Sequence, residues 1–181
     1  MRKVLSLSLV TLLGAATLTA ATLAGVTLPD TVKVGDKTLL LNGLGLRSKM
    51  MVKVYVAGLY VEQKSGDGTA IVNAEAPKRI VLHFVRSVSN DQITDAIVGA
   101  FDANAKASLK AQIDQFGAAL EPFSENDEMS MTYVPGTGTT LNVKGKDKLT
   151  IPGAPFAKAL FGIWLGANPP SGGLKDGLLG K

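Results

Sequence analysis

Apolar residues alternate with polar or small ones across positions 50–61, MMVKVYVAGLYV, the longest strand signal in the chain. Met50, Val52, Val54, Val56, Gly58 and Tyr60 form one face; Met51, Lys53, Tyr55, Ala57, Leu59 and Val61 form the other. The first face is almost wholly apolar and is expected to meet a packed core, while the second sets a lysine near a tyrosine on the opposite surface. Upstream, residues 32–41 read as two short β-prone runs joined by Gly35-Asp36, which predicts a hairpin with glycine first in a two-residue turn. Residues 79–86, RIVLHFVR, give a second clear strand.

The period then lengthens. Ser89 can cap a helix whose capping-box partner is Gln92, with Asp91 at the positive end and Ile93, Ala96, Ile97, Ala100 and Phe101 as the apolar stripe. A second helical stretch runs over about 105–119, with Leu109, Ile113 and Phe116 at similar spacing. Strand patterns return at 128–134, 139–143 and 148–151, separated by turns at 135–138 and 144–147. Pro152-Gly153 ends this meander. Residues 155–165, PFAKALFGIWL, read as a buried helix with Phe156, Leu160, Ile163 and Trp164 on its stripe, and 172–179 as a last short one. Residues 69–76 are too short a run to assign, and QKSGDG before them marks a loop. Strands with helices grouped between them predict an α+β domain, a largely antiparallel sheet covered on one face by helices.

The first residues change the picture of where this domain works. Arg2 and Lys3 precede an apolar run over 4–16 and a stretch of small residues and leucine to Gly25, the three-part order of a secretory signal peptide. Cleavage is expected after Ala21 or Ala24, giving a signal segment over 1–24 and a domain over 25–181. The alternative is a retained anchor, since about 20 apolar residues can span a bilayer. No second long apolar run follows, so after cleavage the expected location is periplasmic or secreted, with no transmembrane segment. The absence of cysteine agrees with an oxidising compartment without requiring it. The net charge of +4 falls by two once Arg2 and Lys3 leave, and the remaining basic residues are scattered, which argues against nucleic acid as a partner.

Several chemistries lack their residues. One histidine, His83, and no cysteine make a zinc site untenable, and the acidic loop residues Glu121, Glu125, Asp127 and Glu128 are read as solvated rather than as calcium ligands. His83 lies mid-strand without a G-x-S-x-G nucleophile motif, so no serine triad is expected. Gly43 and Gly45 form G-x-G without a third glycine or a following helix, and are read as turn glycines. Neither a metal nor a cofactor is expected.

What remains is Leu41-Asn42-Gly43-Leu44-Gly45-Leu46-Arg47 followed by Lys53-Val54-Tyr55-Val56-Ala57-Gly58-Leu59-Tyr60. Here the chain resembles the chalcone isomerase family, in particular its bacterial exported branch. The resemblance rests on a glycine-rich turn ending in arginine and a strand ending in small-Gly-aliphatic-Tyr. It continues through VRSVSNDQI to Gly99-Ala100-Phe101 and ends in the segment from Phe156 to Gly166, so it spans nearly all of the mature chain. It implies a chalcone-isomerase-like, open-faced β-sandwich with a helical layer, and a cleft between that layer and the sheet. In the plant enzymes the arginine of the turn orients an anionic substrate, and Arg47 matches it. The family's catalytic threonine falls on Tyr55 here and its helix tyrosine on Phe101. Phenylalanine donates no hydrogen bond and Tyr55 adds bulk, so both departures argue against flavonoid ring closure.

The fatty-acid-binding branch implies another use of Arg47, since a guanidinium suits a carboxylate through two parallel hydrogen bonds. The expected function is therefore binding of a small amphipathic carboxylate, such as a fatty acid, by a monomer. Arg47, Tyr55, Lys53 and Phe101 are the candidate ligand-binding residues, with Tyr55 as hydrogen-bonding partner to Arg47. The alternative is an isomerase or lyase acting on an enone-like molecule, with Arg47 stabilising negative charge and Lys53 or Tyr55 moving a proton. That role requires Lys53 to be partly desolvated. A third option is an envelope interaction protein with a vestigial cleft.

Overall fold

The computed structural model describes residues 20–181. Its fifteen elements are β1 (Ala20–Leu23), β2 (Val26–Pro29), β3 (Thr31–Val34), β4 (Lys37–Lys49), β5 (Val52–Val61), α1 (Gly68–Asn73), β6 (Lys78–Phe84), α2 (Asn90–Ala100), α3 (Ala103–Ser108), α4 (Lys110–Ala118), β7 (Glu128–Val134), β8 (Gly138–Val143), β9 (Lys146–Ile151), α5 (Ala154–Leu165) and α6 (Gly172–Leu178). They follow the predicted order, with β1, β2 and α1 added and the helical stretch expected over 105–119 divided at Leu109 into α3 and α4. Strands β3 to β9 form one antiparallel sheet in sequence order, while β1 and β2 make a separate hairpin. The mixed α+β architecture is the expected one.

Local chemistry explains the elements. The β3–β4 turn is Gly35-Asp36, with Gly35 at φ +58°, as the sequence predicts. Ser89 accepts a hydrogen bond from the Gln92 amide and the Gln92 side chain accepts one from the Ser89 amide, completing the capping box of α2. Residues 68–73, left unassigned from sequence, form a short helix capped by Asp67.

Burial departs from the expected two-faced strand. The main core lies between the sheet and the helices, and it takes Tyr55, Ala57, Leu59 and Val61 of β5, the face read as outward. Phe84, Phe116, Phe156 and Trp164 complete it, all nearly inaccessible to water. The other face of β5 is also covered: Tyr60 packs with Leu39, Leu41 and Val81, and Val56 with Val26 and Leu28 of the β2 hairpin strand. The sheet is thus buried on both sides here, and β1–β2 supplies the second cover. Its strand β1 starts ahead of residue 25, so both expected cleavage positions fall within this hairpin; the basic and apolar part of the signal segment lies outside the described residues.

Two bulges reset which residues face inward. Leu41 pairs with Tyr60 and Gly43 with Leu59, so Asn42 is an extra residue on β4. Arg47 pairs with Tyr55 and Ser48 with Lys53, so Val54 is an extra residue on β5. Each extra residue reverses the faces of everything beyond it. Asn42 turns its amide to the Leu178 carbonyl (2.8 Å) and the Ser65 carbonyl (3.0 Å), and accepts from the Ser65 amide (2.8 Å), tying the end of α6 to the β5–α1 loop.

Lys78 is a buried charge with a structural task. Its ammonium donates to the carbonyls of Ile71, Val72 and Ala74 at the end of α1 and lies over the rings of Tyr133 and Phe161. Burial lowers its pKa from 10.5 to about 8, against an opposing pull from Glu75. A folded-state value below the unfolded one means that the unfolded chain binds more protons within that window. Stability from this group is therefore complete above the unfolded value and is lost as the pH falls through about 8. Urea unfolding is expected to show a gain of about 1–2 kcal/mol between about pH 7.5 and about pH 9.5, absent in Lys78→Met. Tyr60 and Tyr133, both raised to about 12 chiefly by burial, hold their contribution throughout that interval and lose it only at higher pH.

Candidate ligand-binding site

A cleft of about 690 Å³ opens between α2, the start of β5 and the end of α5. That volume lies within the roughly 300–1,000 Å³ typical of small-molecule sites. Its walls are mainly apolar: Ile93, Ala96, Ile97 and Ala100 from α2, Val52 and Val54 from β5, and Ile163 and Trp164 from α5. The α2 stripe read from the sequence supplies one wall. Polar groups enter from one side, where Arg47 and Tyr55 stand as cross-strand partners on β4 and β5.

Directly paired residues share a face with Cβ atoms about 5 Å apart, so the guanidinium and the phenol are neighbours. Arg47 Nη1 donates to the carbonyls of Ser48 (2.8 Å) and Pro170 (2.9 Å). Those bonds use both Nη1 protons and fix the plane of the group. The parallel Nε–H and Nη2–H donors have no partner among the described residues, and no carboxylate there lies within ion-pair distance of Arg47.

Tyr55 is 8% exposed, and its hydroxyl accepts a hydrogen bond from Trp164 Nε1 at 3.1 Å. The indole N–H only donates, so the Tyr55 oxygen is the acceptor there and its own proton is left for another partner. Burial pushes the Tyr55 pKa up, more than the Trp164 hydrogen bond and the Arg47 charge lower it. The hydroxyl therefore remains protonated at neutral pH. Arg47 and Tyr55 together offer three donor atoms, an arrangement suited to an anionic oxygen pair.

Of the other candidates, neither joins the cleft. Lys53 is exposed and does not line it, because the Val54 bulge sends Lys53 to the face opposite Tyr55 and brings Val52 and Val54 inward. Phe101 is 3% exposed at the end of α2 and packs against Phe156 at 5.9 Å between ring centres, within the core rather than at the cleft. The reverse holds for Trp164, read from sequence as core alone: it is buried and also lines the cleft, holding Tyr55. A buried tryptophan seeks a partner for its N–H, and that was the available signal. Gly43 and Gly45 are not turn residues either. They lie within β4, where a Cβ on Gly43 would meet the Gly177 carbonyl oxygen at 2.1 Å and one on Gly45 the Leu174 oxygen at 2.3 Å.

Comparison with solved structures finds the crystal structure of the Arabidopsis thaliana fatty-acid binding protein AtFAP1, with a TM-score of 0.72 over 89% of this chain and 96% of that one, at 13% identity. The likeness is one of fold. No curated protein matches the sequence. The family model described as chalcone isomerase-like matches residues 20–180, from β1 through α6. Covering every strand and helix that builds the cleft, that match places the chain in the chalcone isomerase-like family, to which it belongs.

Proposed function

We propose that the protein binds a small amphipathic carboxylate, such as a fatty acid, with its head on Arg47 and Tyr55 and its tail along α2 and α5. The observation that carries this reading is the Arg47–Tyr55 pair, a set of aligned donors at one side of an otherwise apolar cleft. The name of the similarly folded Arabidopsis protein agrees with it. Reaction of an enone-like substrate has less support, since Lys53 stands in solvent outside the cleft and Tyr55 holds its proton tightly.

Trp164, the only tryptophan, lines the cleft, so its fluorescence reports occupancy directly. Titration with palmitate is expected to change that signal saturably, while palmitate that neither shifts it nor is retained on gel filtration would sink the reading. Tyr55→Phe removes one donor to the ligand and leaves the Trp164 N–H unpaired. Its Kd for palmitate is expected to rise about 5- to 20-fold, corresponding to about 1–2 kcal/mol.

Export belongs to the same proposal. Pairing of β1 with β2 supports a mature chain that keeps Ala20, and Gly14-Ala15-Ala16 offers a small-x-small cleavage site that leaves the hairpin whole. Intact-mass measurement of protein from the periplasmic fraction is expected to give a chain starting at Thr17. Retention of the full mass in the cytoplasm would refute export.

A further inference from the structure

The β4–β5 hairpin ends in a two-residue turn, Met50-Met51, closed by the pair Lys49 and Val52. Both turn residues have positive φ, 50° and 64°. That is the type I′ geometry, which favours Asn-Gly and disfavours unbranched apolar side chains with a Cβ. The side chains gain no packing in return: Met50 is 88% and Met51 98% exposed, and Val52 beside them is 45% exposed. Among the described residues the only other large exposed apolar side chain is Leu40. A strained backbone and exposed apolar groups thus coincide at one tip.

Cations surround it. Lys49 and Lys53 are exposed on the two strands, and Arg86 is exposed where the chain beyond β6 runs beside Val54, through a hydrogen bond from the Val85 amide to the Val54 carbonyl. The tip is also continuous with the cleft, since Lys49, Met50, Val52 and Arg86 line its mouth, with Asp95 the one carboxylate among the lining residues.

We propose that this tip docks the protein on a phospholipid bilayer carrying anionic headgroups. Met50 and Met51 enter the interfacial layer, where flexible thioethers adapt to disordered chains, while Lys49, Lys53 and Arg86 meet the headgroups. A protein partner fits less well, because two or three side chains fall far short of the roughly 800 Å² that a stable interface buries on each side. Docking deepens the carboxylate-binding reading and rests on it for its purpose: the cleft mouth opens against the membrane, so an amphipathic ligand enters without crossing water.

The test is flotation of the protein with vesicles of phosphatidylcholine alone and of phosphatidylcholine with about one third phosphatidylglycerol. Binding is expected to the anionic vesicles only, weakening as salt rises. Met50→Asn with Met51→Gly installs the residues the turn favours, so Tm is expected to rise by several degrees while the vesicle-bound fraction falls at least about tenfold. Lys49→Glu with Lys53→Glu is expected to lower that fraction similarly without lowering Tm. Protein that stays unbound beside anionic vesicles, or a tip variant that binds like the parent, overturns the proposal. So does a dimer in solution that the tip variant converts to monomer while vesicles stay unbound. Palmitate affinity of the parent protein in vesicle-free solution separates the two readings, because its absence overturns ligand binding and leaves a tip-dependent flotation standing.

Discussion

Arg47→Met is expected to weaken palmitate binding by about 100-fold or more, the largest loss any single cleft substitution should cause. Hydrogen bonds to a charged partner contribute about 1.5–3 kcal/mol each, and the free Nε–Nη2 edge can make two of them. Their loss corresponds to about 3–6 kcal/mol, or a factor of about 10²–10⁴ in Kd. The variant should remain folded, because the Ser48 and Pro170 carbonyls it releases are at a partly exposed position where water can replace the guanidinium. Two controls isolate the charge. Arg47→Lys keeps the cation without the planar fork and is expected to fall between the two. Hexadecanol, which has the same tail and no carboxylate, should bind parent and Arg47→Met within a few-fold of each other. Trp164 fluorescence reads all of these titrations, and undiminished palmitate affinity in Arg47→Met would mean that the head of the ligand sits elsewhere.

Much of this site was legible in the sequence because its parts follow local rules. The apolar wall on α2 came from helical spacing and a capping box, and Arg47 from its place after the glycine-rich run. What the sequence concealed were the two bulges. Strict alternation puts Lys53 on the face of Tyr55, and it puts Leu39, Leu41, Gly43, Gly45 and Arg47 on a single face of β4. One extra residue at Asn42 moves Gly43, Gly45 and Arg47 to the helical side, and one at Val54 moves Lys53 away from it. A bulge leaves no compositional mark in a run such as KVYV, so register had to come from tertiary packing. The same limit explains the reversed faces of β5. Its two sides are both apolar, and only the β1–β2 hairpin, whose first strand reads as the tail of a signal segment, shows why.

Gly45→Ala should be strongly destabilising for so small a substitution, and its effect should reach the candidate ligand site. The added Cβ would lie 2.3 Å from the Leu174 carbonyl oxygen and 2.7 Å from Leu174 Cδ1. The nearest obstacle is helix backbone rather than the flexible end of a side chain, so α6 must move off β4 as a unit. Nor can it slide along the strand, since a Cβ on Gly177 would stand 2.3 Å from the Leu44 carbonyl oxygen and one on Gly43 2.1 Å from that of Gly177. Helix and strand are in backbone contact along this stretch, and lifting one end strips Leu174 and Leu178 from the core. Overpacking typically costs about 1–3 kcal/mol, and this case falls at the upper end or beyond, giving a Tm lower by roughly 6–12 °C. The helix is capped by Ser171, the residue after Pro170, whose carbonyl holds Arg47 Nη1, so its displacement also frees the guanidinium. Palmitate affinity is therefore expected to fall with stability, by about tenfold in protein that is still folded at the assay temperature. Gly99→Ala provides the comparison: its Cβ would meet nothing within 4 Å, and it lies inside α2, where alanine is favoured over glycine by about 0.5–1 kcal/mol. A Gly45→Ala protein as stable as Gly99→Ala would show that α6 is not seated on β4 through these glycines.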